Sequence, residues 1–139
     1  MKFPIVLLAI TLISVANALT QETAEVDHTD ARMGAAMEKD PSTAGMVEAI
    51  SAADEEWDAR MNAAYKNLKK AMQPEEWTAL VGAQKAWIDY RDAQRKSFDA
   101  TFALMDGTMY IPIFAEKDMS LTRDRALLLE GYLAIISAR

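Results

Sequence analysis

Apolar residues recur at steps of three or four along most of this chain, and the breaks in that rhythm divide it into segments. The first segment is of another kind. Ile5 to Val15 is an apolar run interrupted only by Thr11 and Ser14, with Lys2 before it and Ala16-Asn17-Ala18 after it. A basic start, a short apolar run and an A-x-A site predict a secretory signal peptide over residues 1–18, with Leu19 as the first mature residue. The run is shorter than the roughly 20 residues a bilayer span requires, so cleavage is expected and no membrane span should remain after it. Thr20 to Pro41 loses the rhythm and carries Glu22, Glu25, Asp27, Asp30, Glu38 and Asp40. Residues 19–41 therefore read as a flexible acidic leader, with at most a short helical piece around Arg32–Lys39.

From Ser42, a predicted N-cap, the rhythm is unbroken. Met46, Ile50, Ala53, Trp57, Met61, Ala64, Leu68 and Met72 form one stripe, with Glu48, Glu55, Lys66 and Lys69 on the other face, which predicts a long amphipathic helix. Gln73-Pro74 ends it and starts another, because proline breaks the hydrogen-bond ladder but fits a first helical turn. The second stripe is Trp77, Leu80, Gln84, Trp87, Arg91, Gln94, Phe98 and Phe102. So short a connection predicts an antiparallel hairpin, each arm roughly 45–50 Å long at ~1.5 Å per residue. Asp106-Gly107 breaks the second helix, and Thr108 to Met119, with Pro112 inside it, reads as an apolar loop folded back over the helices. A closing helix then carries Leu121, Arg125, Leu128, Leu129, Tyr132, Leu133 and Ile136. The predicted fold is all-α: a helical hairpin plus a C-terminal helix, with the apolar loop between helices two and three, all within residues 42–139.

Polar residues on the second stripe change the picture. Gln84, Trp87 and Arg91 share one helix face, and the tryptophan marks that face as buried. A buried glutamine and arginine need partners, since each unpaired group costs about 1–3 kcal/mol. In an antiparallel hairpin Arg91 could meet Asp54 or Asp58, and Gln84 could meet Asn62 or Tyr65, giving a network that fixes helix register.

Charge and composition exclude more than they assign. The whole chain carries −6, and loss of the signal removes Lys2 and no acidic residue, so the mature protein is one unit more negative. Such a surface disfavours nucleic acid and anionic lipid and suits a basic partner. There is no cysteine, hence no disulfide framework, no thiolate metal site, no cysteine nucleophile and no lipid-modified cysteine. The single histidine, His28, falls in the leader and reads as a solvated surface group rather than a triad member. No catalytic constellation is present, so no enzyme activity and no cofactor or metal is expected. The pairs Met33/Met37 and Met105/Met109, at i, i+4, leave a thioether copper site as one alternative to packing.

Three blocks carry a family resemblance over Met46 to Leu133. They are Asp58-Ala-Arg-Met-Asn62-Ala-Ala-Tyr65-Lys-Asn-Leu68, then Ala83-Gln84-Lys-Ala-Trp87-Ile-Asp-Tyr90-Arg91-Asp92, then Leu121-Thr122-Arg-Asp-Arg125 with Leu129. In order and spacing they resemble the N-terminal domain of LprI-type lysozyme inhibitors, whose blocks run N-x-x-Y-x-x-L, A-Q-x-x-W-x-x-Y/F-R-D and L-T-x-x-R-x-x-x-L. Many members of that family carry cysteines flanking these blocks; here the corresponding places hold residues such as Ile50 and Arg95, so no disulfide pins the loop. The resemblance implies an exported protein, periplasmic or secreted, that binds a protein partner such as a basic lysozyme and blocks its cleft sterically. On this reading the block residues are structural, and Tyr110 and Phe114 of the apolar loop are the candidate partner contacts. A structural or envelope-stress module with another partner is the alternative function.

Overall fold

The computed structural model describes residues 26–139, which form four helices: α1 (His28–Lys39), α2 (Thr43–Ala71), α3 (Pro74–Phe102) and α4 (Tyr110–Ser137). The expected signal peptide and the first part of the expected leader lie outside the described residues. The rest of the leader is not a free acidic tail, because Asp27 caps α1 by accepting a hydrogen bond from Thr29 N at 2.9 Å and the helix packs along α2. Thr29 is almost wholly enclosed, and Met33 and Met37 rest against the core. What hides this helix in the sequence is its short length, at 12 residues, and its polar outer face.

Each junction has a local cause. Ser42 Oγ accepts from Gly45 N at 3.0 Å, and Asp40 Oδ1 accepts from Ser42 N at 3.1 Å, so the chain reverses tightly between α1 and α2. Gly45 is required there: a Cβ would stand 2.2 Å from Asp40 Cγ. Between α2 and α3, Pro74 takes the first helical position, and Gln73 and Glu76 close a capping box in which Gln73 N donates to Glu76 Oε2 at 3.0 Å. Between α3 and α4, Gly107 adopts φ 107°, a left-handed backbone that L side chains rarely occupy.

The segment from Thr108 to Met119, expected as an apolar loop, is instead helical from Tyr110 onward, where α4 starts. Pro112 does not prevent this, because it falls in the first turn, where a missing N–H loses no intrahelical bond. The apolar residues of this segment belong to a helix end, and Pro112 and Met119 are buried.

Successive helices run antiparallel, so α2 and α4 run parallel, and these two make the closest approach. Small side chains allow it: Ala53 and Ala64 on α2, Thr122 and Ala126 on α4, all buried. Trp57, Leu68 and Leu129 fill the remaining space and expose nothing or nearly so. The α2 stripe read from the sequence is the core stripe from Ile50 to Met72. The predicted face of α3 also points inward, but only Leu80 is fully buried; Trp77, Gln84, Trp87, Arg91, Gln94, Phe98 and Phe102 are half-buried. The hairpin therefore forms, with α3 standing off on long side chains and α4 taking the tight packing against α2. Among the described residues no helix is long and apolar enough to cross a membrane.

Candidate functional site

The family-motif residues divide between core, network and surface. Leu68, Thr122 and Leu129 are buried between α2 and α4. Tyr65 packs against Trp77 with ring centroids 4.8 Å apart, closing the α2–α3 end of the molecule. Gln84 sits where three helices converge: its Oε1 accepts from Arg125 Nε of α4 at 2.8 Å, and its Nε2 lies 4.0 Å from Met61 Sδ of α2. Trp87 lies beside this pair, with the guanidinium carbons of Arg91 and Arg125 at 5.2 and 5.8 Å from its ring centroid. Burial lowers the pKa of Arg125.

Two of the pairings expected from the sequence do not occur. Arg91 donates to its neighbour Asp92 Oδ1, at 3.0 Å from Nε and 2.8 Å from Nη2, and not to Asp54 or Asp58. Asn62 is exposed and turns back on its own helix, to Asp58 O and Oδ2, both at 2.9 Å, rather than toward Gln84. The reason is register. One turn further along α3, Arg95 is the arginine that feels Asp54, and it donates to Asp118 Oδ1 of α4 at 2.6 Å, which raises its pKa. The polar network on α3 thus looks to α4, the helix that the hairpin picture left out. Tyr90 and Asp92 are exposed.

A second polar cluster has no counterpart in the sequence reading. Arg60 of α2 grips Glu130 of α4 with both Nε (2.8 Å) and Nη2 (2.7 Å), while its Nη1 donates to Asp27 Oδ1 at 2.7 Å and Thr29 Oγ1 at 3.1 Å. The guanidinium lies 4.0 Å from the Trp57 ring centroid. Burial alone would raise the Asp27 carboxyl, but the bonds from Arg60 and Thr29 N and the charges of Arg60 and His28 outweigh it and hold the pKa at about 2. Glu56 gathers Arg32, Thr29 and His28 on the α1 side, and Arg123 reaches back to Asp30. A sequence signal existed in hindsight: the acidic residues of the leader, Asp27 and Asp30, face the arginines of α2 and α4.

The end formed by α3 and α4 is apolar and open. Leu104 is 84% exposed and Met109 63%, with Met105, Ile111 and Ile113 also exposed. The two candidate contacts behave differently from these. Tyr110 is half-buried, and Phe114 wedges against Phe102 and Phe98 at 5.3 and 6.2 Å, so it holds the helix ends together. Met105 and Met109 flank the turn instead of sharing a helix face.

The comparisons agree with the three-block pattern. A family model described as "Lysozyme inhibitor LprI" matches residues 34–129. Among solved structures, a crystal structure of an uncharacterized protein from Burkholderia thailandensis is similar, with a TM-score of 0.75 and 25% identity over 81% of this chain. This chain covers 56% of that protein's length, so it corresponds to little more than half of it. No curated protein matches. With the family model matching from within α1 to within α4, over more than half of the chain, the chain belongs to the LprI lysozyme-inhibitor family.

Proposed function

We propose that this protein is exported and inhibits a lysozyme by steric occlusion, inserting the α3–α4 end into the enzyme's glycan cleft. The observation that carries the reading is the exposed apolar tip, Leu104 and Met109 foremost, at the end of two helices of a lysozyme-inhibitor-family chain. Exposed apolar clusters suit a protein interface. Phe98, Phe102 and Phe114 brace the tip from within and reduce the entropy lost on docking. The acidic net charge, −6 for the whole chain and one unit more negative without the signal, would steer the protein toward a basic enzyme and speed association at low salt.

The test is a muramidase assay on purified cell walls with the mature protein. Inhibition should weaken as salt rises, because exposed charges are screened over about 8 Å at physiological ionic strength. Leu104→Asp combined with Met109→Asp should abolish inhibition while leaving the thermal melt unchanged, since both side chains are exposed. Substituting Phe114 would test the wedge and the contact together. Mass spectrometry of exported material should find Leu19 at the N-terminus. Wild-type protein that leaves several lysozyme classes fully active at high excess would refute the inhibitor reading.

A further inference from the structure

Among the described residues, Arg125 is the arginine that reaches no carboxylate. Arg32, Arg60, Arg91, Arg95, Arg123 and Arg139 each reach a carboxylate. Arg125 donates only to the neutral Gln84 Oε1, and its Nη2 is enclosed without an acceptor among the described residues. A guanidinium stays protonated, so a half-buried positive charge stands here without a carboxylate partner among the described residues, a charge that an anionic ligand would neutralise. Beside it lies a cleft of about 210 Å³ between α3 and α4, lined by Trp87, Tyr90, Leu121, Asp124, Arg125 and Leu128. Tyr90 and Leu128, each 55% exposed, form its rim, and Asp124 points largely to solvent. Trp87 also lines the cleft, and the Arg91 guanidinium 5.2 Å from its ring centroid is neutralised by Asp92.

We propose that this cleft binds a small organic carboxylate with a flat apolar or sugar-ring body, the carboxylate accepting from Arg125 and the ring lying between Tyr90 and Leu128. The volume is below the ~300 Å³ at which drug-sized sites begin, which selects a single ring over a longer ligand. The site is separate from the apolar tip. Fifteen residues of α4 separate Tyr110 from Arg125, roughly 22 Å at 1.5 Å per residue, so the proposal stands independently of lysozyme inhibition.

The test titrates the folded protein near pH 7 with two matched pairs, benzoate with benzamide and N-acetylmuramic acid with N-acetylglucosamine. The Arg125 Nε–H and Trp87 indole signals are followed by NMR. At least one carboxylate should give saturable shifts at both signals, with its neutral partner about tenfold weaker, the loss expected for one charge-assisted contact. The two carboxylates together tell an aromatic body from a sugar. Arg125→Met should lose binding in a protein that circular dichroism shows to be folded, and Tyr90→Ala, at an exposed position, should weaken binding in a folded protein. The proposal is overturned if neither carboxylate shifts these signals up to ~10 mM, beyond the millimolar range of weak ligands. It is equally overturned if the neutral partners bind as well, or if Arg125→Met still binds.

Discussion

Replacing Arg60 with methionine isolates what the partly buried ion cluster contributes. Methionine keeps most of the apolar stem over Trp57, so packing changes little. What disappears is the two-pronged bond to Glu130, the bond to Asp27 and the cation over the indole. Side-chain exposures are 19% for Arg60, 20% for Asp27 and 34% for Glu130, so solvent screens the Glu130 side more than the Asp27 side. Charge-assisted bonds contribute ~1.5–3 kcal/mol when shielded and well under 1 kcal/mol when exposed. Adding ~0.5–1 kcal/mol for the cation–π contact, Arg60→Met should destabilise by about 2–4 kcal/mol. Urea unfolding followed by circular dichroism reads this directly. Arg60→Lys keeps the charge but not the fork, and should recover less than half of the loss. A double-mutant cycle with Glu130→Gln should give a coupling of about 1–2 kcal/mol. An Arg60→Met protein within ~0.5 kcal/mol of wild type, the range of ordinary surface changes, would refute the idea that this cluster ties α1, α2 and α4 together.

Other measurements test other parts of the fold. The Asp27 carboxyl titrates from its ordinary value of 3.8 down to about 2 in the folded protein. The unfolded chain therefore binds more protons in that window, so the stabilisation is complete above about pH 4 and is lost as pH falls toward 2. With screening discounted it amounts to about 1–2 kcal/mol, and an Asp27→Asn variant should show a correspondingly flatter acid limb in stability measured against pH. Trp87→Ala should cost about 2–3 kcal/mol in a denaturant melt, less than the ~3–5 of a fully buried tryptophan, because the ring is only half-buried. A cost below ~0.5 kcal/mol would place that ring on the surface. Gly45→Ala should destabilise by about 1–3 kcal/mol, because the new methyl displaces Asp40 from the turn between α1 and α2; an unchanged melting temperature would show that the turn relaxes freely.

The helical class and the inward faces of α2 and α3 were legible in the sequence, for one reason. A stripe at steps of three and four can be buried only as a helix, whatever lies opposite. The break at Gln73-Pro74 was legible because proline's missing N–H acts locally. The same local reasoning failed at Pro112, where its meaning depends on whether the helix begins just before it. It fell short again at α1, of which only Arg32–Lys39 read as helical, because the helix is docked by contacts far along the chain: Met33 and Met37 on the core, and Asp27 and Asp30 on Arg60 and Arg123. Spacing showed that Gln84 and Arg91 must face inward, but which residue each meets depends on the third helix. Only the tertiary structure decided that α4 packs tightly on α2, that Arg125 and not Asn62 bonds Gln84, and that Arg91 turns to Asp92. Periodicity fixes an angle about each helix axis, whereas partner choice depends on the distance between axes. That distance is set by side-chain sizes on both helices at once, here the alanines and Thr122 that draw α2 and α4 together.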